Sequence, residues 1–223
     1  MILGTFSIVA RCNRSGEFGV ATATAIPCVG SVLPFALEGV GAIATQAWVN
    51  VNYGYQGLEL MRAGLSVKSA MESLLAEDDR RATRQIVGID ARSCYGYTGD
   101  ECNDWKGHVL GEEFAVAGNI LTGKRVLDNM ARSFAESEGE LAERLLGALE
   151  AGQSVGGDRR GKVSAALLVA SPKPKIFHNI RVDSHENPVR ELRRIFEECM
   201  KFEEEGDGQS TEDVRRKVAR VQR

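Results

Sequence analysis

Several things are scarce in this chain. Histidine is limited to His108, His178 and His185, and no two of them share the spacing of a metal-ligating pair. The five cysteines, Cys12, Cys28, Cys94, Cys102 and Cys199, are odd in number and scattered. That pattern excludes both a zinc ribbon and a disulfide framework, and it points to reduced thiols in a cytoplasmic protein. Positive charge is in short supply as well: 28 Lys and Arg stand against 31 Asp and Glu, a net charge of −3. Bulk nucleic-acid binding, which needs a basic face, is therefore not expected. Long apolar runs are also missing. Met1 to Ala10 has no basic start and is interrupted by Asn13-Arg14-Ser15-Gly16-Glu17, so it reads as neither signal peptide nor membrane span. No internal repeat or long linker divides the chain. The expected protein has no metal, no cofactor, no nucleic-acid partner and no membrane partner.

What is present suffices for one sizeable core. The chain has 223 residues, 43% of them hydrophobic, and reads as a single domain over 1–203 followed by a charged, flexible tail over 204–223. Thr5 to Ala10 alternates like a strand, turns at Asn13-Arg14-Ser15-Gly16, and returns through Phe18 to Ala25. Val29 to Leu33 reads as a short extended piece broken by Pro34, and Val40 to Ala47 as another strand. From Tyr53 the period lengthens: Leu58, Met61 and Leu65, then Val67, Ala70, Met71, Leu74 and Leu75, mark two helices hinged at Ala63-Gly64, with Ser66 as N-cap of the second. Arg84 to Ile89 and Cys94 to Thr98 make a hairpin, and Glu113 to Leu121 a strand. Two further helices follow, one striped by Val126, Leu127, Met130 and Phe134 and one from about Glu140 to Ala151. Val163 to Ala170 and Ile176 to Val182 read as the last strands, and Asn187-Pro188 opens a helix through about Phe202. Hairpin-spaced strands with clustered helices predict an α+β layer fold, mostly antiparallel, with two stacked sheets between helical layers.

The residue that carries the chemistry in this reading is Thr5. A threonine hydroxyl is a poor nucleophile unless an adjacent base takes its proton, and a free α-amine on the same residue can be that base near neutral pH. Met1-Ile2-Leu3-Gly4 precede Thr5, so the Gly4–Thr5 bond must be cut to expose the amine. Glycine at position 4 leaves its carbonyl open to attack. Thr5 can equally be a β-branched residue opening a strand.

Other polar residues could complete a site. Thr45 and Gln46, near Trp48, Asn50 and Asn52, could line a polar pocket that orients a substrate amide, or serve strand-end and turn chemistry. Asn119, inside an apolar strand after Gly118, could donate to an oxyanion or be satisfied by neighbouring backbone. The loop Gly156-Gly157-Asp158-Arg159-Arg160-Gly161 could hold an anion through Arg159 and Arg160, without the spacing of a P-loop. Asp158 with Ser164 could hold a terminal amine, or Asp158 could be a solvated loop carboxylate. Asp183 and His185 read as the turn before the last helix. Gly96-Tyr97-Thr98-Gly99 and Trp105 could wall a pocket or belong to core and rim.

TFSIVA, VGSVLPFALEGVGAIATQA, YGYQGLELMRAGLS, YTGDEC with W-x-G-H, AGNIL, LAERLLGALEAGQ and GGDRRGKVSAALLV together resemble the DUF1028 family, from Thr5 to about Phe196. The resemblance implies a place among the N-terminal nucleophile hydrolases, with a four-layer αββα sandwich and a nucleophile at the first residue of TFSIVA, here Thr5. It implies attack on a small-molecule amide, an acyl-enzyme, and release by water, with Asn119 or a backbone amide at the oxyanion. It also implies association into a homo-oligomer. Family members carry the threonine directly after the initiator methionine, whereas three residues intervene here. Proteasome subunits use a lysine after the first hairpin, where this chain has Thr22-Ala23-Thr24-Ala25 and no lysine before Lys68. The alternative is a non-catalytic sandwich that binds a ligand or partner in its cleft or on the surface near Trp48, Tyr53 and Tyr55.

Overall fold

The computed structural model describes residues 2–206. In chain order the elements are β1 (Ile2–Leu3), β2 (Thr5–Cys12), β3 (Glu17–Thr24), β4 (Pro34–Leu37), β5 (Gly41–Trp48), α1 (Asn52–Arg62), α2 (Val67–Ala76), β6 (Arg84–Asp90), β7 (Cys94–Thr98), β8 (Gly107–Leu110), β9 (Phe114–Asn119), α3 (Arg125–Glu136), α4 (Leu141–Ser154), β10 (Ser164–Ala170), β11 (Asn179–Val182) and α5 (Pro188–Gly206). All strand pairs are antiparallel. One sheet has the order β1-β5-β6-β7, with β4 also on β5; the other has the order β11-β10-β3-β2-β9-β8.

Period-two alternation in strands buried on both faces builds the layers. Along β2, Phe6, Ile8, Ala10 and Cys12 pack on α3 and α4, together with Leu145, Leu146 and Leu149. Each fully buried leucine of that layer contributes about 2 kcal/mol. The opposite face of β2 meets the other sheet: Val9 joins Phe18, Val20, Ala42, Ala44, Val87, Ile89, Ala115, Ala117 and Ala166 in a second cluster. Alanine is frequent there because two backbones approach closely. On the far side of the first sheet, Ile43 and Ile86 pack on Tyr53, Leu58, Val67 and Met71 of α1 and α2. Three apolar layers between four structural layers make the αββα sandwich expected from the element order.

Ser66 caps α2, its Oγ accepting from Ser69 N–H at 3.1 Å. The first hairpin turns as expected, with Gly16 at φ 73° and its N–H bonded to Cys12 O at 2.8 Å.

Three local expectations change. Val29 to Leu33 is not extended: Val29–Ser31 is a 3-10 turn, and Pro34 opens β4 instead of breaking a strand. Pro34 is tolerated because β4 pairs on one side only, with β5. The strand expected through Leu121 stops at Asn119, since Ile120 turns to φ 55°. Ile176–His178 is a 3-10 turn, so the last strand starts at Asn179. β8, where half-buried and exposed residues alternate over four positions, carries too little pattern to be read in advance. Of the tail expected over 204–223, α5 includes residues as far as Gly206, and the rest lies outside the described residues.

Candidate active site

Strand parity sets the site. Thr5 faces the same way as Ser7 and Val9, toward the opposing sheet. Register then extends a polar row across the end of the sheet, because Thr5 lies opposite both Thr24 and Asn119, and Thr24 lies opposite Ser164. All four residues of this row, Ser164, Thr24, Thr5 and Asn119, are buried. From the other sheet, Gln46 and Gln85, register partners on β5 and β6, share the face of Ala44 and Val87 and close over the row.

The chain runs unbroken from β1 in one sheet to β2 in the other, crossing at Gly4. The Gly4 carbonyl accepts two hydrogen bonds, from Thr24 Oγ1 at 2.5 Å and from Arg160 Nη2 at 2.9 Å. Arg160 is pinned by Asp158: Oδ1 accepts from Arg160 Nε at 3.1 Å and from its main-chain N–H at 2.9 Å, and Oδ2 accepts from Nη2 at 2.7 Å. Ala25 N–H reaches the same Oδ2 at 3.2 Å. The Asp158 side chain is 0% exposed and that of Arg160 34%, so the carboxylate is a buried anchor and the guanidinium the part that reaches the carbonyl. Thr5 Oγ1 itself is buried with no hydrogen-bond partner among the described residues, and so is Asn119 Oδ1. A hydroxyl left free beside a carbonyl held by two donors is an arrangement suited to acyl transfer.

A glutamine pair supports this row. Gln46 Oε1 accepts from Ser7 Oγ at 2.6 Å, and Gln46 Nε2 donates to Gln85 Oε1 at 2.8 Å and to the Thr5 carbonyl at 3.4 Å. Gln85 Oε1 also accepts from Asn119 Nδ2 at 3.0 Å, while Gln85 Nε2 donates to Gly118 O at 2.9 Å and to Gly107 O and Thr98 Oγ1 at 3.0 Å. Thr98 Oγ1 continues to His108 Nδ1 at 2.9 Å, and burial pushes the His108 imidazole below its ordinary pKa. Two non-glycine residues in the left-handed region flank the row. Ala47, at φ 63°, lies opposite Leu3, and Ile120, at φ 55°, directly follows Asn119. Each such residue costs about 1–3 kcal/mol, a strain that clusters at functional sites.

The expected site residues divide accordingly. Thr5, Asn119, Asp158, Gln46 and Ser164 converge on this end of the sandwich. Asn119, however, turns its donor to Gln85, and the donors on the Gly4 carbonyl are Thr24 and Arg160. Ser164 Oγ donates to Ile26 O at 2.5 Å and accepts from Val29 N–H at 3.1 Å, so it holds the chain after β3 and not an amine. Thr45 cannot share a pocket with Gln46, because alternation puts it on the helix side of β5; its Oγ1 donates to Asn50 O at 3.3 Å. Asn50 Oδ1 accepts from Asn52 N–H at 3.1 Å, a local turn at the start of α1. Arg159 is exposed and contributes its main-chain N–H to Ile120 O at 2.8 Å. Tyr53 is core, its hydroxyl bonded to Asp78 Oδ2 at 2.9 Å, which removes it from the aromatic surface expected with Trp48 and Tyr55. Trp105 packs half-buried against the outer core. Of the two arginines expected to hold an anion, Arg160 is the one that reaches the Gly4 carbonyl. Thr24 and Gln85 are not among the expected site residues, although parity from Thr5 and the register of the first hairpin point to Thr24. Among the described residues no group of three or more His, Cys, Asp or Glu is arranged to hold a metal ion. No helix among them is long and apolar enough to cross a membrane.

The layer order defines the class: an αββα sandwich, two antiparallel sheets packed face to face between helical layers. Residues 5–192 match the family described as "Family of unknown function (DUF1028)", and the chain belongs to that family. A protein of this family from Silicibacter pomeroyi, known from a crystal structure, is 31% identical with a TM-score of 0.81, the match covering 88% of this chain and 89% of that one. BPH of Thiobacillus denitrificans in complex with epoxomicin matches at 11% identity and a TM-score of 0.43, over 76% of this chain and 100% of that one. Anbu (ancestral beta-subunit) from Yersinia bercovieri matches at 11% identity and a TM-score of 0.40, over 87% and 94% of the two chains. No curated protein matches the chain.

Proposed function

We propose that this protein is a hydrolase of small amides that uses Thr5 as an N-terminal nucleophile after cutting its own chain at the Gly4–Thr5 bond. The observation that carries the reading is the Gly4 carbonyl, held by Thr24 Oγ1 and Arg160 Nη2 beside a Thr5 hydroxyl that has no hydrogen-bond partner among the described residues. In the first step Thr5 Oγ1 bonds to the Gly4 carbonyl carbon and the carbon–nitrogen bond to Thr5 breaks. The hydroxyl proton passes to the departing nitrogen, and Thr24 and Arg160 stabilise the intermediate oxyanion. Water then hydrolyses the ester, releasing a peptide acid that ends at Gly4 and leaving Thr5 with a free amine and a free hydroxyl. That amine takes the hydroxyl proton when Thr5 attacks an external amide, and returns it to the leaving nitrogen; a second water restores the enzyme. Asp158 positions Arg160. Asn119 Oδ1, a buried acceptor without a partner among the described residues, lies across the register from the nucleophile.

A cytoplasmic setting belongs to the same reading, as does association into a homo-oligomer; light scattering showing a strict monomer at micromolar concentration removes the latter. Intact-mass measurement on protein from cells tests the first step. A chain beginning at Thr5, and its loss in Thr5→Ala, support the proposal. A Gly4–Thr5 bond that stays intact in protein from cells overturns it and leaves the non-catalytic alternative.

A further inference from the structure

We infer that the amide hydrolysed at this site is a glycyl amide: its acyl half is an extended peptide-like backbone whose last unit, next to the scissile carbonyl, carries no substituent on its α-carbon. This inference rests on the hydrolase reading above and adds the chemistry of the substrate to it.

Two observations carry it. The first is that the chain preceding Thr5 occupies the place an acyl group must take. Its carbonyl at Gly4 lies in the Thr24 and Arg160 cradle, and the backbone before it runs as a strand along β5, with Leu3 opposite Ala47 and Ile2 opposite Trp48. Because the same hydroxyl attacks in self-cleavage and in turnover, an external acyl group whose carbonyl enters the same cradle can follow the same path along β5. Strand addition of this kind takes its affinity from main-chain hydrogen bonds, which any extended peptide backbone supplies.

The second observation is steric. A Cβ on residue 4 would lie 2.5 Å from Arg160 Nη2, 2.8 Å from Cζ and 3.0 Å from Nε. The Arg160 side chain is itself 34% exposed, but its guanidinium is tied by Nε and Nη2 to the fully buried Asp158 carboxylate, so swinging aside means giving up those bonds. A side chain on the acyl unit therefore displaces the group that polarises the carbonyl. Discrimination falls on transition-state stabilisation and not on binding alone, with the loss of one oxyanion donor worth on the order of a hundredfold in rate.

The test uses the full chain after its processing has been followed by intact mass. Acetyl-Ile-Leu-Gly and acetyl-Ile-Leu-Ala amides of aminomethylcoumarin are compared, together with acetyl-Gly as the truncated acyl group. The expected result is a kcat/KM for the glycyl substrate about a hundredfold above the alanyl one, with the acetyl-Gly amide weaker than the tripeptide. In Arg160→Ala the two rates converge as both fall. A second readout needs no external substrate: Gly4→Ala slows self-cleavage by a similar factor, and the Gly4→Ala, Arg160→Ala double variant is no slower than Arg160→Ala alone. A chain that begins at Thr5 and cleaves the alanyl substrate as fast as the glycyl one overturns this inference and leaves the hydrolase reading standing. A chain that is never cut and hydrolyses none of the three overturns both.

Discussion

Replacing Thr24 by valine removes one hydroxyl and keeps the β-branched shape that β3 requires. Thr24 is buried, and its Oγ1 donates to the Gly4 carbonyl at 2.5 Å, the shorter of the two hydrogen bonds on that oxygen. In the folded ground state the loss is modest. Arg160 Nη2 still reaches the carbonyl at 2.9 Å, so no buried acceptor is orphaned, and stability falls by about 1 kcal/mol. In the transition state the same oxygen carries a developing negative charge, and losing one of two donors raises the barrier by roughly 3 kcal/mol, a rate loss of about a hundredfold or more. The assay is cell-free synthesis of the wild type and of Thr24→Val, with intact mass followed over time to time the loss of residues 1–4. A urea titration alongside measures the folding cost separately. If Thr24→Val processes at the wild-type rate while its fold is retained, this hydroxyl has no part in stabilising the oxyanion and the assignment of the cradle fails.

Three further outcomes follow from the same geometry. Thr5→Ser keeps a hydroxyl on Cβ and should cleave, whereas Thr5→Val should stay full length by mass while its urea midpoint stays near that of the wild type. Gln85→Leu leaves Gln46 Nε2, Asn119 Nδ2 and the Gly118 carbonyl without the partner they share, so unfolding in urea should show a loss of about 2–4 kcal/mol and slower processing. Asp78 ties Arg84 and Tyr53 together behind β5. Burial by itself would raise its carboxyl, but hydrogen bonds from Arg84, the Arg80 N–H and Tyr53 outweigh that and bring it down to about 2. Because the native value lies below the ordinary one near 3.9, this contribution of roughly 2 kcal/mol is complete above about pH 4 and is lost as pH falls toward 2. Asp78→Asn should flatten the stability curve across that window, and an unchanged slope by thermal melting would refute the coupling.

Much of the fold is legible in the residues because its signals are local. Leu141, Leu145, Leu146 and Leu149 repeat at helical spacing, and Ser66 marks the start of α2 through its own hydroxyl. The hairpin of β2 and β3 follows from alternation and a four-residue turn. Misreadings arise where tertiary contact decides. Val29 is apolar enough for a strand, yet it is held in a turn by Ser164 from far along the sequence. The site divides in the same way. Thr5 is singled out by position and Asp158 by its glycine-rich loop, but which of the adjacent Arg159 and Arg160 turns inward depends on how the chain leaves Ile120. Gln85 reads as an ordinary polar residue near the start of a strand, and only the facing sheet shows that it is buried and fully engaged. Thr45 and Gln46, neighbours in sequence, belong to opposite faces of one strand.

The crossing at Gly4 also has a mechanical side. Two residues on one sheet and eight on the other share a covalent thread there, so the β-layers are stitched as well as packed. Cutting that stitch leaves side-chain contact to hold the layers at this corner and bares the main-chain amides along the rim of β5. Hydrogen exchange at Ala47 and Trp48 should then quicken on processing while exchange in the centre of β2 stays slow, so maturation would be felt at the mouth of the sandwich and not at its heart.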